Sequence, residues 1–394
     1  MTESFETTLQ SDAEADGKRF IPFNRFCPIG TEFGYVQQAI DQLHVSGDGP
    51  FTRKCQRILE EVLAVPKVLL TTSCTHALEM AALLLELQPG DEVIVPSFTF
   101  VSTVNAFVLR GARPVFADIR PDTLNLNEAL LEHLISPKTK TIVPVHYAGV
   151  SCQMETIMAI SQQHGLTVVE DNAHGLMGHY HGRNLGTFGA MSALSFHETK
   201  NFACGEGGAL VINDPRYIER AEVVREKGTN RSRFFRGQID KYTWVDLGSS
   251  YLPSDILAAI LYAQLEARAQ VQASRRRIWN YYDVHLKLWA GEQSIGLPVV
   301  PKGCEHPYHM YYLLMPSLES RQALIAHLKA HNILSVFHYI PLHLSEMGKR
   351  FGGRPGDCPV AESVSDRLVR LPFYNSLSEP EQATVVDALQ WFRP

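Results

Sequence analysis

One lysine stands in a polar turn between two apolar runs. Ser195-Phe196-His197-Glu198-Thr199-Lys200-Asn201 closes the strand-like run at 191–196, and Gly205, Gly207 and Gly208 lead into a second run, Gly208–Ile212. A lysine at a strand end is placed for chemistry, although by itself Lys200 also reads as an ordinary solvated surface group. Three other strand ends bear on the choice. Thr71-Thr72-Ser73-Cys74-Thr75 stands between an apolar strand and a helical stretch. Hydroxyls and unpaired N–H groups at a helix start cradle phosphate, or simply cap the helix. Val168-Val169-Glu170-Asp171-Asn172-Ala173-His174 puts a carboxylate at a strand tip with an imidazole three residues on. Such a carboxylate can keep a ring nitrogen protonated, or cap the next segment. Ser97-Phe98-Thr99-Phe100 offers an aromatic face for a planar ring, or a core side chain. Taken together in this order, the four match the needs of pyridoxal 5'-phosphate: a lysine for the Schiff base, a carboxylate for the pyridine nitrogen, a helix start for the phosphate.

The elements that must hold these residues alternate along the chain. Strands are expected at 68–71, 93–95, 114–117, 141–145, 167–170, 191–196 and 208–212, and helices at 52–63, 76–87, 103–110, 127–134, 155–164 and 215–227. Short apolar strands between helices imply an α/β fold with a mostly parallel sheet covered on both faces, and ligands at the carboxyl ends of its strands. An amphipathic stretch at 32–43 precedes this unit. Residues 255–286 read as one long helix or a broken pair, after which the rhythm changes: strands at 309–315 and 334–338, helices at 321–331, 363–370 and 379–391. The expected division is therefore a disordered, acidic tail at 1–19, a large domain at 20–274 and a small C-terminal α+β domain at 275–394.

Composition narrows the function classes. A chain of 394 residues with 45% hydrophobic and 20% charged residues has enough apolar material for a large core. A net charge of -6 argues against nucleic acid as a partner, so anionic ligands must be caught by local groups. The seven cysteines form no CxxC pair, which points to a reduced, cytoplasmic protein without a bound metal. The start of the chain lacks the pattern of a signal peptide, and no apolar run is long enough for a membrane helix.

The segments KVLLTTSCTHALEMAALLL, GDEVIVPSFTFVSTVNAFVLRGA, TIVPVHYAGV, VVEDNAHG, SFHETKNFACGEGG, REKGTNRSRFFRGQIDKYTW and FHYIPLH, in that order, resemble the DegT/DnrJ/EryC1/StrS sugar aminotransferases, of fold-type I among pyridoxal-phosphate enzymes. The resemblance implies Lys200 as Schiff-base lysine and general base, and Asp171 as partner of the pyridine nitrogen. It implies Phe100 stacked on the ring, His174 beside the phenolic oxygen, and Cys74, Thr75 and Ser195 on the phosphate. The family usually has Gly or Ala where Cys74 stands, a change that a backbone contact survives. Many relatives carry an asparagine at Leu252 that reaches the neighbouring subunit's cofactor, and leucine cannot donate that bond.

The activity implied is transfer of an amino group from glutamate, leaving 2-oxoglutarate, to a dTDP-linked keto sugar. Most specifically, dTDP-4-keto-6-deoxyglucose would become dTDP-4-amino-4,6-dideoxygalactose, for enterobacterial common antigen and related cell-surface polysaccharides. Amination at C3, or at C4 with the opposite configuration, stays open, as does a catalytically silent cofactor-binding regulator. Members that remove a hydroxyl instead have histidine where this chain has Lys200. The basic, aromatic stretch 225–244 supplies Lys227, Arg231 and Arg236 as candidates for the nucleotide diphosphate, and the resemblance puts His338 and His343 of FHYIPLH at the substrate mouth, where one of the two can instead be structural. A homodimer with shared active sites is the assembly that the fold type implies.

Overall fold

The computed structural model describes residues 20–393; the tail expected at 1–19 lies outside the described residues. Seven strands make the central sheet: β1 (Lys67–Thr71), β2 (Glu92–Pro96), β3 (Arg113–Ala117), β4 (Thr139–Ile142), β5 (Thr167–Asp171), β6 (Met191–Ser195) and β7 (Gly208–Ile212). Their spatial order is β1-β7-β6-β5-β4-β2-β3. Neighbours from β6 to β3 run parallel, whereas β7 is antiparallel to both β6 and β1. Reversal at β7 lets a short connection carry the chain from β6 straight back alongside it, and that connection holds the lysine.

Both faces of the sheet are covered, so alternate residues enter different cores. Leu69, Val93, Val95, Val169, Ala193 and Leu210 pack with the helices Cys74–Leu84, Ser102–Val108 and Ile218–Arg225. On the other face Val68, Leu70, Leu194 and Val211 meet the helices Pro50–Leu63 and Asp255–Glu266. The buried carboxylate of Asp255 ties those two helices together, accepting from the N–H groups of Phe51 (3.1 Å) and Thr52 (2.8 Å) and the Thr52 hydroxyl (2.7 Å). The helical stretch at 255–286 is a pair, broken at Ala267 into Asp255–Glu266 and Arg268–Glu292.

A second core gathers Tyr282, Leu286, Tyr311, Leu313, Leu324, Val369 and Leu389, and Ile21 from the entry segment. Ile21 bridges Ile333 in parallel fashion, so the first described residues pack with the last ones. The boundary expected at 275 falls inside the helix Arg268–Glu292, whose buried face enters this second core. Two expected elements differ. The helix placed at 363–370 runs Pro359–Arg367, because Pro359 starts it early, and Leu368 and Val369 are fully buried in strand β9 (Leu368–Arg370) against β8 (Tyr312–Leu314). Where a strand was expected at 334–338, only Val336 makes a bridge, to Arg370, and Tyr339 has a left-handed backbone (φ 33) that ends the extended run.

Candidate active site

Lys200 sits at the carboxyl end of β6. Its turn is closed by backbone hydrogen bonds: Lys200 N–H to His197 (2.9 Å), Glu198 N–H to Gly205 (3.0 Å) and Cys204 N–H to Phe196 (2.9 Å). Asn201 anchors the turn to the second core, donating to the Pro307 carbonyl (2.7 Å) and meeting Nδ1 of His309 at 2.8 Å. Burial lowers the Lys200 amine to about 8, the charge of Arg370 adds to the shift, and Cys74 and Asp171 oppose it. A fraction of this amine is therefore neutral near pH 7, as a nucleophile and base requires.

The helix Cys74–Leu84 begins beside this lysine. Ser73 caps it, its hydroxyl accepting from His76 N–H at 3.1 Å. The N–H groups of Cys74 and Thr75 find no acceptor among the described residues, so the first turn presents free donors. Gly208 at the start of β7 permits this closeness: a Cβ there would lie 2.3 Å from the Cys74 nitrogen and 2.3 Å from the Ser73 carbonyl carbon. Ser195 lies across from Gly208 in the β6–β7 register, on the same side as the helix start. Thr75 Oγ1 donates to Ser102 Oγ (2.8 Å), joining this helix to the start of the next. Burial pushes the Cys74 thiol well above its ordinary value, so it stays uncharged beside an anion.

Asp171 ends β5 and is buried. Thr103 Oγ1 donates to its Oδ2 at 2.7 Å, and Ala173 N–H to its Oδ1 at 3.1 Å. Thr103 also meets the Thr99 hydroxyl at 2.8 Å, so a buried relay fixes the carboxylate. Each carboxylate oxygen has two lone pairs, so the group can still accept from a further N–H donor. His174 is buried, and desolvation, followed by the charges of Lys200 and Arg370, holds its imidazole well below the usual range, hence neutral at pH 7. Its ring stacks on His309 with centroids 4.2 Å apart, while its buried Nδ1 has no hydrogen-bond partner. Unfilled donors at the helix start, the fixed carboxylate, the orphaned imidazole nitrogen and the lysine amine fit one planar, phosphorylated, nitrogen-bearing ligand, the chemistry of pyridoxal phosphate.

The remaining sequence candidates take different positions. Phe100 is 56% exposed at the rim, its ring 6.3 Å from that of Tyr339. His338 is buried, with Nδ1 2.7 Å from the Tyr147 hydroxyl and its ring against that of Tyr339. His343 is bound on both sides, to Ser97 (2.6 Å) and Glu362 (3.0 Å), and serves packing. Lys227 and Arg231 share the Glu226 carboxylate at 3.0 and 2.9 Å, and Arg236 pairs with Glu222 at 2.7 Å. The Arg231 guanidinium also lies over the rings of Phe235 and Tyr242, at 5.0 and 5.8 Å. Leu252 packs where a Cβ on Gly47 would lie 2.6 Å from its own Cβ. Sequence reading missed Thr103, Tyr147, His309, Tyr339 and Arg370. Thr103 follows Phe100 by one helical turn, which is a usable signal; the others arrive through packing from distant segments. Among the described residues no group of His, Cys, Asp and Glu could hold a metal, and no helix is long and apolar enough to cross a membrane.

Comparison with known proteins places residues 29–390 on the model of the DegT/DnrJ/EryC1/StrS aminotransferase family. The chain is 34% identical over 384 residues to the spore coat polysaccharide biosynthesis protein SpsC of Bacillus subtilis (strain 168), a match covering 93% of this chain and 97% of that protein. Spr1654 from Streptococcus pneumoniae, described as a candidate sugar aminotransferase and solved in its PLP form, superposes with a TM-score of 0.87 at 27% identity, covering 94% of this chain and 98% of that one. The aminotransferase TlmJ from Streptoalloteichus hindustanus superposes with a TM-score of 0.84 at 30% identity, covering 94% and 97%.

Proposed function

Since the chain belongs to the DegT/DnrJ/EryC1/StrS aminotransferase family and has the fold-type I architecture, with pyridoxal phosphate as cofactor, we propose that it aminates C4 of dTDP-4-keto-6-deoxyglucose to give dTDP-4-amino-4,6-dideoxygalactose, with glutamate as amino donor. The coarser activity is that of a sugar aminotransferase, EC 2.6.1 in type, in polysaccharide biosynthesis. Specific assignment to EC 2.6.1.59, to enterobacterial common antigen and to the cytoplasm is part of the proposal.

When bound, pyridoxal phosphate supplies the electron sink that makes the donor's α-hydrogen acidic. Lys200, as a free amine, would take that proton from the donor's α-carbon and deliver it to C4′ of the cofactor, and in the sugar half would move a proton from C4′ to C4 of the sugar. Asp171, fixed by Thr103, would hold the pyridine nitrogen protonated; the Cys74 and Thr75 N–H groups, with Ser195, would hold the phosphate; Phe100 would cover the ring and His174 would face its phenolic oxygen. Lys227, Arg231, Arg236 and His338 contact the sugar nucleotide, the diphosphate replacing part of what Glu226 and Glu222 now provide. Two copies form a homodimer that completes each site. What most supports the reading is the amine of Lys200, lowered to about 8 beside the unfilled N–H groups at the helix start.

The test incubates the protein with cofactor, glutamate and dTDP-4-keto-6-deoxyglucose and reads the product by NMR. A 4-amino sugar of galacto configuration is expected. Amine at C3, or the gluco epimer, overturns the assigned substrate position and keeps the family chemistry. Conversion of the cofactor to its amine form without sugar product overturns the sugar alone. Lys200→Ala is expected to cost at least roughly 10³-fold in turnover; unchanged turnover would sink the whole reading.

A further inference from the structure

Asn201, the residue after Lys200, is buried and is bonded through both its side-chain amide and its carbonyl. Its Nδ2 donates to the Pro307 carbonyl at 2.7 Å, and a carbonyl can only accept, so the atom turned toward His309 is Oδ1. That oxygen lies 2.8 Å from His309 Nδ1 and also only accepts, so the ring proton of His309 sits on Nδ1. Further hydrogen bonds close a cycle around this one. Arg275 donates to the carbonyls of Tyr308 (2.9 Å) and His309 and to Asn375 Oδ1 (2.7 Å), and Asn375 Nδ2 returns to the Asn201 carbonyl at 3.3 Å. One small polar ring thus joins the lysine turn to the helix Arg268–Glu292 and to the segments before β8 and after β9.

The face of His309 has a separate use. Its ring lies against that of His174, with centroids 4.2 Å apart and planes 19° from parallel. Burial comes first in holding His309 well below the usual imidazole range, and the groups around it, His174, Lys200, Arg275 and Arg370, all disfavour a second proton as well. A neutral ring protonated at Nδ1 leaves Nε2 bare. His174 is therefore backed by an uncharged plane, and the bond to Asn201 keeps that plane from turning. Resting on the transaminase reading above, we propose that His309 is a positioning residue with two jobs: its Nδ1–H bond to Asn201 fixes the lysine turn, and its stacked face fixes His174 toward the cofactor's phenolic oxygen. Neither job requires contact with the substrate. The two jobs use different parts of one ring, so they can be separated.

Two variants do so. His309→Phe keeps an aromatic face for His174 and loses the donor to Asn201; His309→Asn keeps a donor near the Nδ1 position and loses the face. In the cofactor-loaded protein, His309→Phe is expected to slow the glutamate half-reaction about 10-fold with KM for glutamate unchanged, while the pH at which the cofactor's visible absorbance changes stays in place. His309→Asn is expected to move that pH midpoint by about 0.5 unit or more and to slow the half-reaction less. Imidazole ¹⁵N spectra of the full chain without cofactor, assigned by difference from His309→Asn, should show Nδ1 protonated and Nε2 bare, with no titration between about pH 6 and 8. A ring protonated at Nε2, or one that titrates in that range, overturns the proposal. So do variants that move both readouts alike, or that move neither and lose only stability in urea. If the spectra and the half-reaction behave as expected but no sugar is aminated, the sugar reading fails while the positioning role stands.

Discussion

At the scale of single residues, Lys200 carries the most direct consequences. In the role proposed for it the amine must be neutral to move a proton, and burial lowers it to about 8. The donor half-reaction, followed by the cofactor's absorbance after mixing with glutamate, is expected to rise with pH through an apparent pKa near that value. Stability follows the same sign. Folding lowers the amine from its ordinary 10.5, so the unfolded chain binds more protons between about 8 and 10.5, and the cofactor-free protein gains stability as pH climbs through that window. Urea midpoints of the cofactor-free protein across pH 8 to 10.5, compared with Lys200→Ala, isolate the contribution. Thr103 acts one step removed. Thr103→Val keeps the shape and removes the donor to Asp171, which should weaken cofactor binding by about 1.5–3 kcal/mol, the worth of a hydrogen bond to a charged group. A fluorescence titration with pyridoxal phosphate measures it; unchanged affinity would mean that Asp171 is positioned by Ala173 alone.

Among the elements, the meeting of β7 with the helix Cys74–Leu84 decides whether the proposed phosphate site can form. Gly208 is required by that approach, since backbone atoms of Ser73 and Cys74 occupy the place of a Cβ. Gly208→Ala must push the strand or the helix aside, at a cost of about 1–3 kcal/mol, and should weaken the hold on the cofactor phosphate as well. Denaturant unfolding and cofactor titration read both effects from one sample. The Asp255 carboxylate offers a contrasting case, bound to the helix Pro50–Leu63 rather than to the lysine turn. Its loss in Asp255→Ala leaves the first N–H groups of the helix Pro50–Leu63 unpaired and should destabilise the fold by about 2–3 kcal/mol without changing the pH profile of the donor half-reaction.

The whole molecule places the groups proposed to react between two cores. Lys200, Asp171 and the helix start belong to the sheet, whereas Arg370, His309 and Tyr339 come from the C-terminal layer, and Asn201 pins one to the other through Pro307 and His309. Phe33, Leu43, Phe100, Phe235 and Trp244 are among the large apolar side chains left exposed. Surface of that kind marks an interaction face. Sedimentation is expected to give a dimer, and Trp244→Asp to shift it toward monomer with a matching loss of sugar amination. A monomer of full activity would show that one chain completes its own site.

The sequence by itself determined the alternating sheet, the order of its strand ends and four of the groups that meet there, because each of these is local: an apolar run of strand length, a hydroxyl cap, a carboxylate or a lysine at a turn. It also carried the family, through long segments in fixed order. What it left undecided depends on contacts between residues far apart in the chain. Only the tertiary structure bridges Arg370 to Val336, joins Thr103 to Asp171 across 68 positions, and stacks His309 on His174. It also separates two histidines of one short motif, His338 beside the site and His343 locked between Ser97 and Glu362. The lowered pKa of the lysine belongs to this second class, since it arises from burial and from a charge that reaches it through the fold rather than along the chain.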